Sequence, residues 1–280
     1  MRCIRTSTII ALIFAAAVCL IGEPYAAAHA QESTLQTVIK RGRVLVGVRD
    51  TSPGFSFRDD KNELVGFEID LARELARGLF NDPNKIEFVL LTGGADRAPA
   101  IVSGRVDAVI STMSVFLERA QVVGFSIPYS ISKSVFIVRS DSPFRNNSDL
   151  DGKKITGRQG ADLEKIVLTA IKNPVFQMYP SNSDAFLAMR QKRADAFFFE
   201  GGAALYLARE FGDAVREVSD GGKPIAPSYL SVATRQNDQV WINYINTALT
   251  DLKLSGKLTA IHEKWFGTTS LMPSWSRQPM

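Results

Sequence analysis

The chain has 280 residues, 45% hydrophobic and 22% charged, with 20 Gly and 12 Pro, which excludes a disordered, collagen-like or multi-span membrane protein. Lys and Arg outnumber Asp and Glu only by 33 to 29, and the basic residues are scattered, so composition argues against nucleic-acid or membrane-surface binding. A site for a small anion remains compatible with this charge.

Residues 1–30 read as a secretory leader. Arg2 and Arg5 make a positive start, Thr8 to Ile21 is an apolar stretch too short to span a bilayer comfortably, and Ala28-His29-Ala30 is a small-x-small cleavage site. A lipid anchor at Cys19 fits less well, because Val18 stands where a small residue is needed. Cys3 and Cys19 both leave with the leader, so the chain from Gln31 onward has no thiol for a disulfide, a zinc site or a nucleophile. With no later apolar run of about 18 residues, the mature chain is expected free in the space it is exported to.

From Gln31 onward, short apolar strands alternate with helical patterns, the signature of an α/β fold with a largely parallel sheet. The first strand is Val44 to Val48; Ile69, Leu71, Ala72, Leu75, Ala76 and Leu79 then recur at helical spacing after Gly66-Phe67-Glu68. Asp59 to Glu63, acidic but without calcium-loop spacing, reads as a solvated hairpin turn. Strands follow at 86–91, 106–110 and 134–138, with a short helix at 97–103. Beyond Asp151-Gly152 the pattern restarts, with strands at 154–156, 175–179 and 194–199 and helices at 163–171 and 184–191. A last strand, 229–233, precedes helices at 240–254 and 258–265. Phe197-Phe198-Phe199 fits a strand buried on both faces.

The connection Arg105-Val106-Asp107-Ala108 returns as Arg193-Ala194-Asp195-Ala196, an echo suggesting two related lobes, or else merely a common helix-to-strand turn. Ligands of open parallel sheets sit beyond the carboxyl ends of the strands, which directs attention to Ser111–Ser114 and to Phe199-Glu200. No nucleophile elbow, zinc-protease or phosphate-loop motif occurs. His262, the only histidine after the leader, lies beside Glu263 and Lys264 and reads as a surface residue. A binding protein without metal or cofactor is therefore expected rather than an enzyme.

Several short motifs then fall into one order: Leu45-Val46-Gly47-Val48-Arg49-Asp50 with Phe55, Gly66-Phe67-Glu68-Ile69-Asp70-Leu71-Ala72, Ser103-Gly104-Arg105-Val106-Asp107, Glu118-Arg119-Ala120, Phe125-Ser126-Ile127-Pro128-Tyr129, Leu150-Asp151-Gly152-Lys153 and Lys264-Trp265-Phe266-Gly267. Together they resemble the periplasmic solute-binding proteins of the polar amino-acid class, family 3, soluble receptors of ABC importers. The resemblance implies two α/β lobes joined by two hinge strands that close over a ligand. It divides the chain into a leader (1–30), a first lobe (31–132 with 231–280) and a second lobe (133–230). It also implies a monomer that binds an amino acid or a derivative, acidic or polar, and hands it to a membrane permease.

Carried over by position, the resemblance implies that Arg119 pairs with the ligand α-carboxylate, helped by Ser114 and the backbone N–H of Ala161, where the usual side-chain hydroxyl is missing. The Thr112 carbonyl and Glu200 take the ammonium, Glu200 being one methylene longer than the usual Asp. Phe55 forms a pocket wall, and Arg49, Arg97 and Arg158 meet a side-chain anion. The residues also admit other readings: Arg119 as a surface ion pair, Ser114 and Glu200 as helix caps, Phe55 as core, and the arginines as solvated or paired with Asp50 or Asp96. Exported cyclohexadienyl dehydratases have a similar stretch from Ser114 to Tyr129. The alternative function is thus such an enzyme, with Glu200 as its general acid.

Overall fold

The computed structural model describes residues 32–91, 94–159, 163–218 and 225–267. The leader, both cysteines and Ala161 lie outside the described residues. Helix α1 (Thr34–Arg41), which the periodicity did not reveal, precedes β1 (Val44–Val48). A small sheet follows, of β2 (Thr51–Ser52), β3 (Ser56–Arg58) and β4 (Leu64–Val65). Its β3–β4 turn is the expected hairpin: the Asp59 carboxylate accepts from the N–H groups of Lys61 and Glu63.

The main sheet places β1 between β5 (Ile86–Leu90) and β6 (Ala108–Val109), both parallel to it. On the far side β8 (Lys154–Arg158) lies parallel between β9 (Val175–Tyr179) and β10 (Ala196–Glu200). Two long strands join these halves. β7 (Gly124–Arg139) and β12 (Ile225–Thr234) pair antiparallel, and the sheet runs β5-β1-β6-β12-β7-β10-β8-β9, with β11 (Val215–Val218) on β7. The parallel reading holds within each half and fails in the middle. The strand expected at 134–138 is the end of a 16-residue strand whose first part, half-buried and interrupted by Pro128, lacks a continuous apolar run.

Each half buries its own core. Val46 and Val48 pack under helices α2 (Phe67–Phe80) and α8 (Gln239–Leu254), with Ile69, Leu71, Leu75, Trp241 and Ile245 fully or nearly fully enclosed. In the other half Phe198 joins Phe136, Ile155 and Val167, while Phe197, on the opposite face, joins Phe186 and Met189. Phe197 and Phe198 are thus buried on opposite faces, as expected for alternating side chains, while Phe199 is half-buried and reaches the cleft at the carboxyl ends of the strands. The repeated Arg-x-Asp-Ala turn is one device used twice. Asp107 accepts from the Leu45 N–H at 2.7 Å and donates its own N–H to the Leu45 carbonyl; Asp195 does the same with Lys154, accepting at 2.8 Å.

The expectation for His262 is overturned. In helix α9 (Lys257–Phe266) the buried positions are Leu258, His262 and Phe266, one stripe at i, i+4 and i+8, and His262 is 1% exposed between the rings of Phe67 and Phe266. Burial pushes its pKa down to about 4. The unfolded chain therefore binds the extra proton between about pH 6.5 and pH 4 and the native state does not, so this site removes stability as pH falls through that range. His262→Leu should lose less stability than the parent between pH 7 and pH 4.5 in urea titrations. Parallel losses in both proteins would show that His262 titrates normally.

Candidate functional site

A cleft of about 710 Å³ opens at the carboxyl ends of the strands, lined from both halves of the sheet. From the first half come Arg49 just after β1, Arg97 at the start of α3 (Arg97–Val102), and Thr112 and Ser114 after β6. From the other come Arg158 and Glu200, the last residues of β8 and β10, and the segment Pro180–Ser183 after β9; Ser132 of β7 lies in the wall as well. Six of the nine expected site residues are thus gathered in one cavity.

Arg97 is buried and its Nη1 donates to the Ser111 carbonyl at 2.8 Å; Arg49 donates to the same carbonyl and to the Ser111 hydroxyl, both at 3.2 Å. Arg49 does not pair with Asp50 as the alternative had it, since Asp50 pairs with Arg58. Burial, then the charges of Arg49 and Arg119, lower Arg97 to about 10, and burial lowers Arg49. Arg158 is exposed in the cleft, with no hydrogen bond or ion pair to a described residue. Like charges held this close cost energy unless a counter-charge joins them.

Glu200 is both helix cap and cleft residue. One carboxylate oxygen accepts from the Ala203 N–H at 3.0 Å, capping α7 (Gly201–Phe211), and the other accepts from the Ser132 hydroxyl at 3.1 Å. Burial raises its pKa to about 7 against the pull of these donors. Ser114 is no helix cap: α4 (Leu117–Ala120) starts after Phe116, and the Ser114 hydroxyl accepts from Ser228 on β12 at 2.9 Å.

Two expectations are corrected. Phe55 is 1% exposed and belongs to the core, its ring 4.9 Å from that of Phe266 and 6.2 Å from that of Phe67; a β-carbon on Gly202 would run into it. The aromatics in the cleft wall are Phe57, near Tyr206 and Trp265, and Phe199. Arg119 stands behind the wall rather than in it. It is half-buried, its guanidinium lies over the Phe116 ring, and it donates to the Ser114 carbonyl at 2.9 Å.

Glu68 was missed. It is fully buried behind the cleft and accepts from the Thr112 N–H and the Tyr129 hydroxyl, both at 2.5 Å, and from the Ser56 hydroxyl at 3.2 Å. Gly66 sets its place: at φ +135°, with the Phe55 carbonyl where a side chain would stand, only glycine allows this helix start. The signal was available, since Glu68 falls on the same helical face as Ala72 and Leu75, an acid on an apolar stripe. Among the described residues no group of three His, Cys, Asp or Glu side chains could hold a metal, and no helix is long and apolar enough to cross a membrane.

Residues 44–268 match the model of the bacterial extracellular solute-binding proteins, family 3. The chain belongs to this family. This family 3 protein is 29% identical to the L-cystine-binding protein TcyJ of Escherichia coli over 263 residues, covering 92% of the chain and 95% of that relative. The ABC transporter glutamine-binding protein GlnH of Bacillus subtilis is 24% identical, over 86% of the chain and 87% of its own length. Among solved structures, the ancestral cationic amino acid solute-binding protein AncCDT-1 superposes with a TM-score of 0.75 at 31% identity, over 84% of the chain and all of its own. A second structure of that ancestor, with a TM-score of 0.68, describes it as a precursor of cyclohexadienyl dehydratase. The family 3 protein thus has the expected two-lobed α/β fold, and its named relatives are binding proteins.

Proposed function

We propose that the chain is the periplasmic receptor of an ABC importer, that it captures an amino acid with an anionic side chain, glutamate or aspartate, and that it delivers this ligand to a membrane permease. The observation that carries the ligand class is the group of Arg49, Arg97 and Arg158 on the cleft wall: three guanidinium groups against Glu200 in the cleft and Glu68 buried behind it, with Asp50 already engaged by Arg58. A side-chain carboxylate relieves the repulsion among these guanidinium groups by charge-assisted hydrogen bonds. Glu200 and the Thr112 carbonyl take the ammonium, and Ser114 serves the α-carboxylate. The lobes divide at 132/133 and 230/231, inside the paired strands β7 and β12, whose register shifts near Leu230 and Ser231 suit a hinge.

A second reading keeps Glu200 as the general acid of a dehydratase, because a carboxyl group near 7 suits proton donation. Its two oxygens are already committed as acceptors, which favours the binding role. Thermal melts over the twenty amino acids and prephenate test both. Glutamate or aspartate at 100 times its Kd should add about 2.7 kcal/mol, several degrees in Tm, with arginine and lysine inert. Stabilisation by a cationic amino acid without any acidic one would overturn the ligand class, and prephenate turnover would establish the enzyme.

A further inference from the structure

One peptide group joins Glu68 to the arginines. Its N–H, on Thr112, points back to the Glu68 carboxylate, and its C=O, on Ser111, receives both Arg49 and Arg97. Thr112 holds φ +43°, a left-handed conformation unfavourable for a β-branched residue, so something must hold it there. The Tyr129 and Ser56 hydroxyls complete three donors on Glu68, which favour the ionised carboxylate against the burial that raises its pKa.

We propose that Glu68 is the positioning residue for anion recognition: it fixes the Ser111–Thr112 peptide, which aims Arg49 and Arg97 into the cleft, and its charge sets how strongly those arginines prefer an anion to a neutral amide. The second half of the proposal rests on the acidic amino-acid reading above. A carboxylate in direct contact with the arginines would neutralise them and close the site. Acting through a polarised peptide, it orients them and leaves their outward N–H groups for the ligand.

The test compares Glu68→Ala and Glu68→Gln with the parent, by calorimetric titration with glutamate and glutamine and by amide exchange and arginine Nε–H spectra of the ligand-free proteins. Alanine removes the acceptor: the Thr112 amide should exchange at least tenfold faster, and the preference for glutamate over glutamine should fall by at least tenfold. Glutamine keeps an acceptor oxygen and removes the charge: the Thr112 amide should stay protected, the Arg49 and Arg97 Nε–H signals should shift, and the preference for glutamate should rise severalfold. A carboxylate that only fills the core would lower Tm in both variants and leave the preference and the arginine signals unchanged, which overturns the proposal. Where the alanine variant does not fold, the glutamine variant decides on the same criteria. If the parent binds neither ligand, the acidic amino-acid reading fails by itself. Thr112 exchange and the arginine signals then decide the positioning role, unmoved values in the variants being the result against it.

Discussion

Arg97→Ala should weaken glutamate binding by about 2–5 kcal/mol, because a carboxylate enclosed in the cleft then loses a buried charge partner. Glutamine, which brings no charge to that end of the site, should lose far less. The fold should persist, since the Ser111 carbonyl keeps its bond from Arg49. The double substitution with Arg49→Ala should be non-additive, as both guanidinium groups serve one carbonyl and one ligand group. Calorimetric titration of glutamate and glutamine against each variant measures this. Equal losses for the two ligands would mean that the arginines shape the cleft wall and do not read the side chain.

Glu200→Gln should cost at least a hundredfold in affinity, because the ligand ammonium is then enclosed without a counter-charge. Stability should change by no more than about 1 kcal/mol, since the amide oxygen still accepts from the start of α7. A pH signature separates this from loss of shape. With Glu200 raised to about 7, much of the unliganded protein carries a neutral carboxyl at pH 6, and a ligand ammonium needs the ionised form. Affinity should therefore rise from pH 6 to pH 8 in the parent and stay flat in the glutamine variant. Reduced stability with unaltered affinity would leave Glu200 as a helix cap only.

The strands and helices of both halves were legible because parallel strands buried on two faces leave continuous apolar runs, and the helices over them carry periodic stripes. The hinge strands were less so. β7 is half-buried along its first part, where Ser130 and Ser132 interrupt the apolar pattern, and its partner β12 lies about a hundred residues later in the chain. At the site, topology alone pointed to Ser111–Ser114 and Phe199-Glu200, of which Thr112, Ser114, Phe199 and Glu200 line the cleft, while Arg49, Arg97 and Arg158 were placed by the family resemblance and line it too. Phe55 and Arg119 could not be placed in either way, because facing the cleft or the core depends on the turn that presents the side chain. Phe55 and Phe57 exchange these roles across two residues. His262 and Glu68 were polar residues on buried helical faces, where the apolar neighbours at i±4 carried more information than the polar residue itself.

The central claim is that the cleft selects a second negative charge on an amino acid. Titration of the parent protein with L-glutamate, L-glutamine and L-arginine at pH 7.5 tests it most directly. Glutamate should bind at least tenfold tighter than glutamine, arginine should give no heat above dilution, and the glutamate affinity should weaken as salt is added. Glutamine or arginine binding more tightly than glutamate would contradict the account, whatever the arginines contribute to the shape of the cleft.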